Sequence, residues 1–231
     1  MGPPEVAILG SGGAEGWHGA RLRTALEGLG ILVHRIPFES CRFALDDHGP
    51  GIRLGDLQHL PDGVVVRSIP AGTFEQVTLR LGILHALEAS GVPVSNGARP
   101  IERCVDKAAA SFLVARAGLP SPATWVVDGF DGAAAVVREA QSHGCALVLK
   151  PLFGNQGKGL RLVRGPDDLP PPEAVAGVYY LQRFVGRPDG AGLDFRVFVV
   201  GGEAVAAMAR HAPGWVTNIG RGGVPRPVRA V

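Results

Sequence analysis

With 231 residues, 46% apolar and 19% charged, the chain has enough apolar side chains for a buried core, and charge-rich disorder is excluded. Lys plus Arg exceed Asp plus Glu by 23 − 21 = 2, too even a balance for a nucleic-acid or anionic-membrane footprint, so any anion site is local. The longest apolar runs fall well short of the roughly 18 residues of a membrane span, the start MGPPEVAILG lacks a cationic leader, and Cys41, Cys104 and Cys145 lie too far apart for a zinc-ligand spacing, all of which fits a cytoplasmic protein.

The first strand-like run, Glu5 to Leu9, ends in the cluster Gly10-Ser11-Gly12-Gly13. A dinucleotide fingerprint would need a further glycine at 15, where Glu15 stands, so this segment reads equally well as a tight βα turn and a nicotinamide-dependent oxidoreductase is disfavoured. A helix carrying Leu22, Ala25, Leu26 and Leu29 on one stripe follows, stopped by Gly30. A strand over 31–36 leads into a loop-rich stretch to Gly63, and Val64 to Val66 form a buried strand. Phe74, Val77, Leu81, Leu84 and Leu87 recur at helical spacing with Gly91 as the stop, and a short strand over 92–95 completes an alternating α/β layer.

The next unit reads as a helix from Ile101 to Ala117 closed by Gly118, a strand over 124–127, a helix over 131–143 and a strand over 146–150. The loop Pro151 to Gly159 and a strand over 160–163 follow. Leu169-Pro170-Pro171-Pro172 is a stiff surface loop. A third unit opens with a strand over 178–185 and continues as the hairpin Phe195 to Val200, Gly201-Gly202, Glu203 to Ala209.

Chemistry concentrates in the loop Lys150-Pro151-Leu152-Phe153-Gly154-Asn155-Gln156-Gly157-Lys158-Gly159. Glycines admit an anion close to the backbone and lysines supply point charges for phosphate. It is no Walker A loop, because position 152 is Leu and Gly159 stands where Ser or Thr should follow Lys158; a hairpin flap over a triphosphate and an ordinary exposed hairpin both stay open.

Several segments occur in order: Val105-Asp106-Lys107, the Gly118 to Thr124 corner, Val148-Leu149-Lys150-Pro151 with its glycine flap, Leu181-Gln182-Arg183-Phe184-Val185, Asp194-Phe195-Arg196, and Ala206 to Arg210. Together they resemble the ATP-grasp superfamily, most closely its RimK-like glutamate ligases. The resemblance covers nearly the whole chain, most strongly 101–223. It implies an α/β fold with α+β subdomains: an N-terminal pre-ATP-grasp domain over 1–98, a lid subdomain over 99–181, and an incomplete C-terminal sheet subdomain over 182–231. The implied activity is ATP-dependent C–N ligation. A carboxylate is activated as an acyl phosphate and an amino acid amine, glutamate, displaces phosphate. The segment Val66 to Pro70 resembles cofactor-tailoring relatives such as tetrahydromethanopterin glutamate ligases more than the ribosomal-protein enzymes. The alternative is a naturally short nucleotide-binding pseudoenzyme.

By the same resemblance Lys107 and Lys150 would contact ATP, and Gly154, Gln156, Gly157, Lys158 and Gly159 would cover its phosphates. Gln182, Arg183 and Phe184 would form the hinge whose backbone meets adenine, and Asp194 would contact the nucleotide. Arg196 and Arg210 would steady the transferring phosphoryl group, with Asn218 and Arg210 also touching substrate. Trp17, His18 and Arg21 are weaker candidates for the acceptor. Position 216 is Val where many relatives carry Arg.

Magnesium is expected from the family, but its Asp and Glu-x-Asn ligands do not follow. Glu203 is the last acidic residue, and the tail carries Arg210, Arg221, Arg226 and Arg229, so the chain reads as C-terminally short and no metal ligand is assigned. The implied partners are a small-molecule or protein carboxylate acceptor and an amino acid, without membrane or direct nucleic-acid binding; self-association stays open. One internal check is available. An uninterrupted two-residue Gly201-Gly202 turn would place Arg196 and Arg210 on opposite faces, whereas an odd loop such as Gly201 to Glu203 with a bulge aligns them, and the odd loop is predicted.

Overall fold

The computed structural model describes residues 2–12, 16–46, 49–154, 157–186 and 190–228, and the chain divides into two compact units, 1–105 and 106–231. In unit 1, β1 (Glu5–Gly10), β2 (Leu32–Pro37), β5 (Gly63–Val66) and β6 (Val94–Ser95) form a parallel sheet in the order β2-β1-β5-β6. Between β2 and β5, where the sequence predicts a loop-rich stretch, the chain forms a hairpin, β3 (Cys41–Asp46) and β4 (Gly49–Leu54). Its strands alternate: Cys41, Ile52 and Leu54 are buried and join the core of the sheet.

Helix α1 (Trp17–Glu27) buries no residue fully, and Leu29 lies beyond its end at 77% exposure, so the predicted stripe is only half used. Helix α2 (Phe74–Ala89) is better anchored. Thr73 accepts from the Gln76 amide while the Gln76 side chain accepts from the Thr73 amide, a reciprocal cap, and Ile83, Leu84 and Leu87 are buried. Phe74, placed on the apolar stripe by spacing, is exposed. Gly91, at φ +83°, closes the helix as predicted: its amide donates to Glu88 and the Val92 amide reaches back to the Leu87 carbonyl. Gly30 and Gly118 end their helices with the same pair of bonds.

The helix expected over 101–117 is two helices, α3 (Ala98–Val105) and α4 (Lys107–Arg116). The break is Asp106, whose extended backbone at φ −84°, ψ 109° is that of an N-cap. Its carboxylate accepts from the amides of Ala108 and Ala109 at 2.7 and 3.2 Å. The cap therefore places Lys107 at the first helical position of α4.

In unit 2 a four-stranded antiparallel sheet runs β7 (Thr124–Asp128), β10 (Val178–Arg183), β8 (Leu147–Lys150) and β9 (Arg161–Val163). Helix α5 (Phe130–Ser142) packs on it through Ala133, Ala134 and Val137. The second sheet is β11 (Gly192–Val200), β12 (Glu203–Ala212) and β13 (Val224–Val228).

The β11–β12 turn corrects one expectation. Val200 pairs with Glu203 around Gly201-Gly202, so the loop has two residues rather than three. Phe198 pairs with Ala206 and Val199 with Ala204, leaving Val205 as an unpaired bulge residue. That extra residue shifts the register by one. Asp194 faces Arg210, Arg196 faces Met208, and the two arginines share a face after all.

Candidate anion-binding site

Two lysines stand at the base of the flap. Lys150 ends β8, and Lys107 opens α4. Lys150 Nζ donates to Gln182 Oε1 at 2.5 Å and lies 5.8 Å from the Tyr180 ring centroid, while Gln182 Nε2 donates to Thr124 Oγ1 at 2.8 Å. Tyr180 is in turn tied to Ser111 of α4, 2.7 Å between hydroxyls. Lys107 Nζ donates to the carbonyls of Leu152 and Gly154 at 3.1 and 2.8 Å, which fastens the flap's first limb. Burial pushes both lysines below their ordinary value, and Lys107 is lowered further by the Lys150 charge although Asp106 opposes this. Two ammonium groups that repel each other, bonded mainly to neutral oxygens, form a place where an anion is electrostatically welcome.

The far limb of the flap rests on the loop 215–223. Arg221, in a short 3-10 turn over Ile219–Arg221, donates to the Gly157 carbonyl at 3.2 Å. Gly157 has φ +71°, and a Cβ there would overlap the Asn218 side-chain oxygen and lie 3.4 Å from Val216. Only glycine allows this approach. So Val216, the residue standing where many relatives were expected to carry Arg, is part of the flap's seat.

Behind the flap, Arg210 is 8% exposed and grips Asp194 with both arms of its guanidinium, Nε to Oδ1 at 2.8 Å and Nη2 to Oδ2. Thr217 also donates to Asp194 Oδ2. Arg196 Nε stands 3.6 Å from Oδ1, on the exposed side. Hydrogen bonding from Arg210, helped by Thr217, holds the Asp194 carboxyl below the usual carboxylate range, and the same bond raises Arg210. Asp194 thus orients an arginine rather than standing free for a cation.

Between the flap tip and the loop 218–221 lies an open cavity of about 760 Å³ whose described lining includes Lys158, Arg210, Asn218 and Arg221. Three cations and one amide suit an oxyanion such as a phosphate chain. They do not suit magnesium. The lining has no carboxylate, Asp194 is committed to Arg210 and Thr217, and the described residues contain no group of three acidic, His or Cys side chains that could hold a metal.

The predicted site residues of unit 2 therefore fall into two clusters bridged by the flap: Lys107, Lys150 and Gln182 at its base, and Lys158, Asp194, Arg196, Arg210 and Asn218 at its tip. Gly154 and Gly159 lie in the flap with φ +152° and +71°, and Gln156 lies outside the described residues. At the hinge, the Arg183 amide donates to Ala123 at 2.8 Å and the Phe184 amide to Ala146 at 2.9 Å, so neither N–H is left for a base. The Phe184 ring meets Trp215 edge-on, centroids 5.8 Å apart. Trp17, His18 and Arg21 form a separate stack in unit 1, with Trp17 69% exposed. Sequence reasoning gave no individual role to Tyr180, Ser111, Thr217 or Arg221. For Arg221 the signal was its place in the Trp215 to Gly223 loop, three residues after Asn218.

The chain is similar to known proteins of one family. The RimK-like ATP-grasp domain family matches residues 104–230. The tetrahydromethanopterin:alpha-L-glutamate ligase of Methanosarcina acetivorans is 40% identical over 189 residues, 74% of this chain and 55% of the relative. A probable alpha-L-glutamate ligase of Parasynechococcus marenigrum is 30% identical over 97% of this chain and 48% of its own length. The chain spans about half the length of the curated relatives it matches. Among solved structures, a RimK-domain ATP-grasp protein of Sphaerobacter thermophilus superposes with TM-score 0.61 at 22% identity, covering 88% of this chain and 71% of that one. D-alanyl-alanine synthetase A of Vibrio cholerae superposes with TM-score 0.65 at 14% identity, covering 99% and 74%. The fold is the ATP-grasp fold.

Proposed function

The chain belongs to the RimK-like ATP-grasp family, and we propose that it is an ATP-dependent carboxylate–amine ligase that adds L-glutamate to a carboxylate acceptor. The observation that carries this reading is the cavity under the flap, which presents Lys158, Arg210 and Arg221 with no carboxylate among its described lining. On this reading Lys107 and Lys150 take oxygens of the nucleotide phosphates and the flap from Gly154 to Gly159 closes over them. Arg210, held in orientation by Asp194, faces the γ-phosphoryl group with Arg196 beside it. The acceptor carboxylate oxygen forms a bond to the γ-phosphorus as the bond to the ADP oxygen breaks. The glutamate amine then attacks the acyl carbon, phosphate leaves, and the amine loses a proton. The guanidinium groups lower the barrier to the first step by stabilising charge on the transferring oxygens. Magnesium supplies charge neutralisation to ATP in ATP-grasp ligases generally. The described residues do not form a site for it, and no step here runs through it.

Among acceptors, a carboxylate-bearing cofactor such as tetrahydromethanopterin is favoured, supported by the 40% identity to a tetrahydromethanopterin ligase. The setting proposed is the cytoplasm; no helix among the described residues is long and apolar enough to cross a membrane. A nucleotide binder without ligase activity draws no support from the relatives, whose names are those of ligases.

Calorimetric titration of the 231-residue chain with ATP, with and without chelator, and with NAD as control, tests the first requirement. ATP binding that survives chelation and weakens in Lys150→Met is expected. Absence of ATP binding, or equal binding of NAD, would count against the assignment.

A further inference from the structure

Of the 23 basic residues only three are lysines, Lys107, Lys150 and Lys158, and all three stand in the flap or at its base. An ammonium is a point charge with three donors and no rigid fork, so its direction is set by the groups that accept from it. For Lys150 that group is Gln182, whose Oε1 lies 2.5 Å from Nζ. The sheet brings the two together. Tyr180 pairs with Lys150 across β10 and β8, and Gln182 pairs with Thr124 across β10 and β7, so all four residues share one face. Tyr179, Leu181 and Leu149 point the other way, into the core under α5. Lys150 and Gln182 are diagonal neighbours on their strands, a separation that long side chains can span.

An amide side chain keeps its shape when turned end for end, but only one orientation offers oxygen to Lys150. A lysine cannot accept, so the Gln182 oxygen faces it and both amide protons go elsewhere. One goes to Thr124 Oγ1 at 2.8 Å, the other to the Tyr180 hydroxyl at 3.4 Å. Thr124 accepts because its own proton is given to the Pro122 carbonyl at 2.9 Å. Tyr180, accepting from Gln182, has its proton left for Ser111 Oγ, 2.7 Å away and one turn after Lys107 on α4. Every bond therefore donates outwards from Lys150, towards a backbone carbonyl on one branch and α4 on the other.

We propose that Thr124 is a positioning residue: its hydroxyl, pinned by Pro122, fixes the Gln182 amide with its oxygen towards Lys150 and so holds the Lys150 ammonium at the anion site. The ligase reading enters only in naming ATP as the anion. Of the two acceptors Thr124 is the closer, so it contributes more to the choice of orientation. Thr124→Val keeps the shape and suits a strand but removes the acceptor. The amide proton then has no partner there, and an amide that turned over would set an N–H against the ammonium. Thr124→Ser keeps the acceptor.

The test is a nuclear magnetic resonance titration against pH of the ligand-free 231-residue chain, isotope-labelled at lysine Cε, with its three signals assigned through Lys107→Met and Lys150→Met. Among the described residues the titratable groups facing Lys150 are Tyr180 on β10 and Lys107 on α4, with Asp106 beside the latter, and every Thr124 variant retains them. The Lys150 midpoint should fall by about one pH unit in Thr124→Val, a tenfold loss of proton affinity, and return in Thr124→Ser. ATP affinity measured by calorimetry should weaken about tenfold in Thr124→Val, with its alkaline limit lowered in step, and recover in Thr124→Ser. In a Gln182→Leu chain, which already lacks the amide, Thr124→Val should lower the Lys150 midpoint no further. An unmoved Lys150 midpoint in Thr124→Val, a Thr124→Ser chain as impaired as Thr124→Val, or a further fall in the Gln182→Leu background would each overturn the proposal. Lost thermal stability with an unmoved midpoint is the mark of a merely structural threonine and counts against it too. A parent chain that does not bind ATP would instead sink the ligase reading, and the ligand-free lysine titration would still decide the role of Thr124.

Discussion

Gly157 is where backbone geometry and ligand binding meet, and Gly157→Ala isolates the contribution of the flap. With the flap seated, residue 157 has φ +71° and its carbonyl accepts from Arg221. An L-residue in that left-handed region costs about 1–2 kcal/mol, which corresponds to roughly 5- to 30-fold in an equilibrium constant. The strain is felt only while the flap is seated, because a released loop can relax to negative φ. The added methyl would also overlap the Asn218 side-chain oxygen, so the loss should lie at the upper end of that range. Calorimetric titration with ATP should therefore show Gly157→Ala weakened about 10- to 30-fold. Adding Asn218→Ala to that variant should recover the steric part and leave the backbone part. Gly30→Ala is the control: it has φ +77° with open space around its Cβ, so it should lower stability by a similar strain without changing ATP affinity. A Gly157→Ala chain that binds ATP as tightly as the parent would show that the seated flap is no part of the nucleotide site.

Arg221→Ala removes both the bond to the Gly157 carbonyl and one of the cavity's three cations. ATP affinity should fall about tenfold, with Arg221→Lys in between, measured by the same titration; an unchanged value would place Arg221 outside the site. The lysines predict opposite pH trends for binding and stability. Both are lowered from 10.5 by burial, so in the window below 10.5 the unfolded chain holds more protons than the folded one and stability rises with pH. Over the same window ATP affinity falls as the ammonium groups deprotonate. Lys150→Met should move the alkaline limit of binding upward by relieving Lys107, and parallel melts and titrations would detect it. Arg210→Met should destabilise the chain by about 2–4 kcal/mol, since it strips a bidentate partner from Asp194. Asp194 is lowered from 3.8, so its stabilising share is present above that value and is lost as pH falls through the lower folded one. Thermal melts across acid pH should show that loss in the parent and not in Arg210→Met.

Much of the fold was legible because it rests on local signals. The stop glycines at 30, 91 and 118 sit at helix ends marked by the hydrophobic period, and their positive φ values follow from that place in the chain. Asp106 was equally local and was missed. Within one helix expected over 101–117 it had no capping role, whereas an Asp directly before Lys107-Ala108-Ala109-Ala110 is also a cap, and the cap decides where Lys107 stands. The hairpin 41–54 was hidden for another reason. Its apolar alternation is short on each strand, and it is the packing of Ile52 and Leu54 into the unit 1 core that selects strand over loop. Contacts such as Arg221 to Gly157, or Ser111 to Tyr180, join residues 64 and 69 positions apart, and no spacing rule reaches that far.

The two arginines of the second sheet show most clearly what a parity argument can carry. Strand alternation relates Arg196 and Arg210 through the number of residues between their facing positions, and an uninterrupted hairpin with a two-residue turn separates them. The requirement that they share a face was right, while the place assigned to the odd residue was wrong. A three-residue loop and a two-residue loop followed by a bulge have the same parity, so sequence parity alone cannot choose between them. Local chemistry can. Gly201 and Gly202 both take positive φ, +60° and +88°, the demand of a two-residue turn whose twist suits the strands, and that leaves Glu203 free to pair with Val200. The surplus residue then moves inward to Val205, at 59% exposure a position where losing a strand partner disturbs no packed core. The result puts Asp194 opposite Arg210, which is what orients the arginine. Deleting Val205 should therefore remove the bulge yet keep Asp194 opposite Arg210, because Val199 opposite Ala204 and Phe198 opposite Ala206 then become consecutive pairs, and melts of that variant across acid pH should retain the loss that marks the Asp194 pair.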